Sequence, residues 1–282
     1  MGGRVAVVTD STAYLPDGVA EQLSIRVVPL QVVLGGRSGA EGSEVTPAEV
    51  ATALSAWIPV STSRPTPAEF AAVYRDALER GASAVVSLHL SRELSGTWDS
   101  ARLAAAEVDS ELIRVVDSRS AAMGLGFAVL AAARAAEAGS TPDQVYAAAV
   151  GTAERTTTLF YVDTLEHLRR GGRIGAAQAL LGTALSVKPI LHVKEGRIVP
   201  LEKVRTVSKG IARLEALAVA AAGDGPADVA VQHLAAAERA ALLADRLRAR
   251  LPRAGQFYAS EIGAVVGAHV GPGVLGVVVV RH

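Results

Sequence analysis

Through the first half of the chain, short runs rich in Val, Ile and Leu alternate with Ala-rich helical stretches, and this alternation limits the fold more than any other feature. Val5–Thr9, Ser24–Leu34, Ala84–Leu90 and Leu112–Asp117 read as strands. Pro29 within the second of these marks an edge position or a bend. Thr46-Pro47 and Thr66-Pro67 each place an N-cap before a proline at the first helical position, so helices are expected to about Trp57 and about Arg80. An Ala-rich helix follows Thr97, and another spans Ala121 to Ala138, ended by Gly139 before Thr141-Pro142 starts the next. Val60 to Pro67 carries prolines and hydroxyl residues and reads as a loop. Strands and helices alternating at this spacing call for a parallel sheet flanked by helices.

After roughly residue 155 the pattern changes. Leu159–Val162 is a short strand, Thr164–Arg170 a helical turn closed by Gly171-Gly172, and Ala176–Ser186 a further helix. Lys188–Val193 and Arg197–Val204, joined by Lys194-Glu195-Gly196, read as a β-hairpin. Helices at Ser208–Ala222 and Glu238–Arg250 then alternate with strands at Asp228–His233, Phe257–Ser260 and Val274–Val280. A hairpin among crossovers implies a mixed sheet. The expected architecture is therefore two α/β domains, residues 1–155 with a parallel sheet and residues 156–282 with a mixed sheet and helices.

Composition narrows the function. Half of the 282 residues are apolar but only 4% are aromatic, so the core is built from Ala, Val, Leu and Ile. Lys and Arg number 28 against 28 Asp and Glu, which offers no basic excess for nucleic acid and no polybasic block for more than transient membrane contact. Without cysteine there is no thiolate nucleophile and no zinc–sulfur site. No apolar run approaches the ~20 residues that span a bilayer, and no signal-peptide pattern precedes the first strand. A cytoplasmic protein is expected.

The usual cofactor signatures are missing: there is no G-x-x-x-x-G-K-[ST] loop, and the histidines show no H-x-x-x-H pair, so neither a bound cofactor nor a metal is expected. What remains is hydroxyls, arginines and one histidine. Ser95, Gly96 and Thr97 follow the carboxyl end of a strand, where ligands bind in open α/β sheets. Ser95 or Thr97 is there either the helix N-cap or a ligand donor. His269 sits in the glycine-rich stretch Gly263–Gly273, read as a loop, and either caps local backbone or faces a ligand. Ser95 with His269 could form a nucleophile–base pair for an esterase or acyltransferase, although Ser95 lacks the G-x-S-x-G elbow, with Glu93 and Thr97 at the glycine positions. The same groups can equally bind a carboxylate as hydrogen-bond donors. Arg169, Arg170, Arg173 and Arg205 lie on turns, as a solvated face or as a surface for a partner or phosphate.

Taken together, Val8–Thr12, Ser61–Pro65, Leu94–Thr97 with Ser100-Ala101, Val116–Ser118, Val162–Leu168, Gly171–Ile174 and Gly263–Gly273 resemble the motifs of the DegV family of bacterial fatty-acid-binding proteins. That family includes the binding subunits of bacterial fatty acid kinase. The resemblance implies two α/β domains and a long-chain fatty acid in a buried tunnel, bound as ligand by a non-catalytic carrier. It implies that Thr62 and Ser95 hydrogen-bond the carboxyl group, with His269 completing the network and Ser63 as a lesser candidate. It also implies that Arg173 and Arg205 lie outside the pocket, where a separate ATP-dependent kinase subunit docks to phosphorylate the acid. Arg64 departs from the family pattern, which often has an uncharged polar residue before the proline.

Overall fold

The computed structural model describes residues 4–180 and 188–282. From the N-terminus run β1 (Val5–Asp10), a 3-10 turn (Ser11–Ala13), α1 (Val19–Gln22) and β2 (Arg26–Val28). An excursion follows, with β3 (Gln31–Leu34), β4 (Arg37–Ala40), α2 (Pro47–Ser55) and β5 (Val60–Ser63). The alternation resumes as α3 (Pro67–Glu79), β6 (Ala84–His89), α4 (Thr97–Val108), β7 (Ile113–Asp117), α5 (Met123–Glu137) and α6 (Pro142–Glu154). Next come β8 (Thr156–Tyr161), α7 (Glu166–Arg170), a 3-10 segment (Gly175–Leu180), β9 (Lys188–Lys194), β10 (Arg197–Val204) and α8 (Val207–Ala222). The chain closes with β11 (Ala227–His233), α9 (Ala237–Arg250), β12 (Ala254–Glu261), α10 (Ala264–Val270) and β13 (Leu275–Arg281).

Two compact units form. The first takes the residues up to Gln31 together with Ser63–Glu154, and the second takes Val32–Thr62 together with Arg155–His282. A single cut at residue 155 would leave Val32–Thr62 with the N-terminal part, whereas here this segment clusters with the C-terminal part. The reason is local: β3, β4 and β5 pair in a sheet of their own, order β4-β3-β5, and α2 packs on α10.

The first unit holds a parallel sheet of order β2-β1-β6-β7. Every residue of β6 is buried, as expected of a strand covered on both faces. Both Thr-Pro starts form capping boxes, Thr46 with Glu49 and Thr66 with Glu69, which fixes where α2 and α3 begin. The core between α3, α4 and the sheet is aliphatic apart from Phe70 and Tyr74. The second unit holds a mixed sheet of order β10-β9-β8-β13-β11-β12, in which only β11 and β12 run parallel. Leu214, Leu243, Leu247 and the small alanines of α8 and α9 pack onto it. The β9–β10 hairpin turns through Glu195 and Gly196, both at positive φ.

Three local expectations change. Val60–Ser63 is the edge strand β5 rather than loop, because the prolines begin only at residue 65 and the four residues before them keep their N–H donors. The glycine-rich stretch after Gly263 forms α10, seven residues long, whose Ala264, Val265, Gly267, Ala268 and Val270 are buried. The helix expected over 176–186 is a 3-10 segment in its first part, and residues 181–186 lie outside the described residues.

A buried polar chain locks the carboxyl ends of β1 and β6. Asp10 Oδ1 accepts from the N–H and hydroxyl of Thr12, and its Oδ2 accepts from Leu90 N–H at 3.0 Å and His89 Nδ1 at 3.0 Å. The other nitrogen of His89 lies 2.7 Å from Ser87 Oγ, to which the Tyr74 hydroxyl donates at 2.9 Å. Burial pushes the Tyr74 hydroxyl's pKa up, which keeps it a donor. All four residues at the head of this chain, Asp10, Thr12, Ser87 and His89, are fully buried. Asp10→Ala would strand several buried donors at once, so it should cost at least ~3 kcal/mol in chemical denaturation; a loss below ~1 kcal/mol would show that the chain is not holding these strand ends.

Candidate functional site

Thr62 and His269 meet within the second unit. Thr62 Oγ1 lies 2.9 Å from His269 Nε2, joining residues 207 positions apart. Thr62 is presented by β5, and His269 by the last turn of α10. A seven-residue helix is too short to persist by its own hydrogen bonds. It is held here by its buried face and by Glu41, whose Oε1 accepts from Val265 N–H at 2.7 Å in the first turn. This supplies the cap that no side chain of the helix's own N-cap, Gly263, can give.

The imidazole lies against Gly171, the residue that closes α7. A Cβ at Gly171 would run into the ring, with His269 Cε1 only 3.0 Å from the Cβ position. Gly171 has φ −75°, so it is the close approach and not the backbone angle that requires glycine. His269 Nδ1 is buried and has no hydrogen-bond partner among the described residues. Of the two neutral tautomers, the one with its proton on Nε2 leaves a bare acceptor at Nδ1, whereas the other buries an unpaired N–H. An orphaned N–H is the rarer and costlier state. Nε2–H therefore donates to Thr62 Oγ1, and the Thr62 hydroxyl proton is free for another acceptor.

Burial, and then the charge of Arg173, hold the His269 pKa down at about 4. The ring is a neutral donor at neutral pH. Arg173 reaches this place because its Nη1 donates to the Gly171 carbonyl at 2.6 Å, so it stands beside the histidine turn. The resemblance places it outside the pocket with Arg205. Arg169 and Arg170 are both engaged by Glu166, at 2.6 and 2.7 Å, and these bonds hold the Glu166 carboxyl down at about 2. Arg170 also lies over the Trp57 ring, 4.8 Å from its centroid. Arg205 is exposed and makes no hydrogen bond or ion pair with any described residue.

Ser95 belongs to the first unit, in the turn between β6 and α4. The N-cap of α4 is Gly96 and carries no side-chain cap bond, so neither Ser95 nor Thr97 is the N-cap. Instead Ser95 Oγ lies 2.9 Å from Thr97 Oγ1 and accepts from Thr97 N–H at 3.3 Å, a local turn that holds the two hydroxyls together. Ser63 is exposed at the end of β5. Two residues of this site carry no sequence signal. Glu41 sits 224 positions from the amide it caps, and Gly171 reads from sequence only as a helix stop. Among the described residues no group of His, Asp and Glu could hold a metal, and no helix is long and apolar enough to cross a membrane.

The family model described as an uncharacterised protein of the DegV family matches residues 4–282. A DegV domain-containing protein of Streptomyces coelicolor, SCO2569, is 58% identical over 279 residues, covering 99% of each chain. Among solved structures, a DegV family protein from Thermus thermophilus, described for its fatty acid binding, matches with a TM-score of 0.93 at 38% identity, over 98% of this chain and 99% of that one. DegV of Bacillus subtilis, described as a fatty acid binding protein, matches with a TM-score of 0.89 at 38% identity, over 99% of each chain.

The depressed His269 pKa has a signed consequence. The unfolded ring titrates near its ordinary ~6.5, so between that pH and about 4 the unfolded state binds a proton that the folded state does not. The stabilisation is complete above the unfolded pKa and is lost as pH falls toward the folded one. The ligand-free protein should therefore lose stability over this window more steeply than His269→Gln, with matching slopes for the two as the contrary result.

Proposed function

This chain belongs to the DegV family, and on that premise we propose that it binds a long-chain fatty acid whose carboxyl group is held by the Thr62 hydroxyl and the His269 imidazole. The observation that carries this reading is the Thr62–His269 pair itself: a neutral ring, seated against a glycine, that turns the hydroxyl proton outward. A half-buried carboxylate is costly unless its oxygens accept hydrogen bonds, and this pair offers a donor without demanding a proton back. Ser95 and, as a lesser candidate, Ser63 are assigned to the same carboxyl by their motifs. The acyl chain occupies an aliphatic tunnel, where each buried CH₂ contributes ~0.8 kcal/mol, so the acid should remain bound through purification. The aromatic-poor composition suits such a lining.

The finer reading makes the protein a non-catalytic, cytoplasmic carrier. It presents the carboxyl group to a separate ATP-dependent fatty acid kinase and keeps the product. A carboxylate oxygen would attack the γ-phosphorus of ATP on the kinase, ADP would leave, and the acyl phosphate would stay on the carrier for phospholipid synthesis. Arg205, exposed and without a partner among the described residues, is the clearest docking candidate. Arg173 is shared between that role and the histidine turn.

The other reading, a Ser-His esterase or acyltransferase, is less well supported. Ser95 Oγ is bonded to Thr97, and His269 Nε2, the nitrogen a base would use, is occupied by Thr62. A Ser-His-Asp series does exist in Ser87, His89 and Asp10, but all three are fully buried and Ser87 already accepts from Tyr74.

Native mass spectrometry of the purified protein should find a fatty acid in near-stoichiometric amount, and a protein that is empty and takes up no added acid would overturn the reading. His269→Ala and Gly171→Ala should each weaken retention by roughly tenfold, since the first removes the ring and the second displaces it. Equal retention in both would remove the carboxyl group from this place, and ester turnover that vanishes in Ser95→Ala would favour the enzyme. Arg205→Ala should leave lipid content unchanged while slowing phosphorylation by the cognate kinase; loss of lipid would put Arg205 in the pocket instead.

A further inference from the structure

Most arginines of the first unit are spoken for. Arg26, Arg75, Arg80, Arg92 and Arg114 each pair with a carboxylate. Arg64 makes no hydrogen bond or ion pair with any described residue. Its guanidinium is nonetheless seated: it lies over the bare face of Gly96, where a Cβ would collide with it, the Arg64 Cζ and Cδ being 2.9 and 3.0 Å from the Cβ position. Gly96 separates Ser95 from Thr97, so an uncommitted cation is held beside the two hydroxyls of this turn. Its backbone is fixed as well. Pro65, which is buried, restricts Arg64 to extended conformations, and the Thr66–Glu69 capping box anchors the next turn.

We propose that Arg64 selects the head group, favouring a doubly charged phosphoryl group on an acyl chain over a simple carboxylate. The inference rests on the fatty-acid reading above. Thr62, Ser95 and the neutral His269 are all uncharged donors, a set that matches a carboxylate monoanion without a counter-ion. An exposed guanidinium adds little to such a ligand, because solvent screens the pair. Phosphorylation brings further oxygens and a second charge, and a guanidinium fork can take two phosphoryl oxygens at once through charge-assisted bonds. Glycine at position 96 is what lets the fork approach the turn, since any side chain there would displace it.

The test is competitive displacement of a fluorescent fatty acid by palmitic acid and by hexadecylphosphonic acid, at a pH where the phosphonate is doubly ionised. Wild-type protein, Arg64→Gln and Arg64→Lys would be compared, with melting temperatures as a check on folding. Arg64→Gln should weaken phosphonate binding about tenfold and change palmitate binding by less than about twofold, with Arg64→Lys between the two. Added salt should shrink the wild-type preference toward the Arg64→Gln value. An unchanged phosphonate-to-palmitate ratio, or equal losses for both ligands, would overturn the proposal. Wild-type protein that binds neither ligand would instead overturn the fatty-acid reading on which it rests.

Discussion

The hydrogen bond between Thr62 and His269 constrains the chain more than any other contact, because its partners are 207 residues apart. It can form only if Val32–Thr62 leaves the N-terminal alternation and folds with the C-terminal part, which is the division the two units show. Three contacts of that excursion converge on α10: β5 presents Thr62 to it, α2 packs on it, and Glu41 caps its first amides. The orientation of the His269 ring is therefore set by tertiary contacts from a segment more than two hundred residues upstream.

This explains what the sequence does and does not disclose. The Thr-Pro starts of α2 and α3, the end of α5 at Gly139 and the β9–β10 hairpin are encoded in a few adjacent residues, and they are legible for that reason. The small β4-β3-β5 sheet is not, since its strands are short and two of them are flanked by glycine or proline. A glycine-rich stretch likewise gives no helical signal at 264–270, where burial rather than propensity makes the helix. Among the candidate site residues, Thr62 and His269 stood out as polar groups in unusual settings. Glu41 and Gly171 did not, because a remote cap and a bare face are properties of a contact and leave no local pattern.

The electrostatics of the site divide in a way that bears on chemistry. Burial and Arg173 keep His269 neutral, so the group nearest Thr62 contributes a dipole and no charge. An acid held by neutral donors keeps its own negative charge, and with it the nucleophilicity that phosphoryl transfer to a carboxylate oxygen requires. A buried ion pair would hold the same acid more tightly but would blunt that oxygen. In the proposed reading the cation belongs elsewhere, at the Ser95 turn, where Arg64 rests on Gly96 with its donors uncommitted. Charge would then be engaged after the phosphoryl group arrives, when neutral donors no longer suffice. Such a division would let one pocket accept a monoanion, leave it reactive, and then retain a product carrying more charge than the substrate it began with.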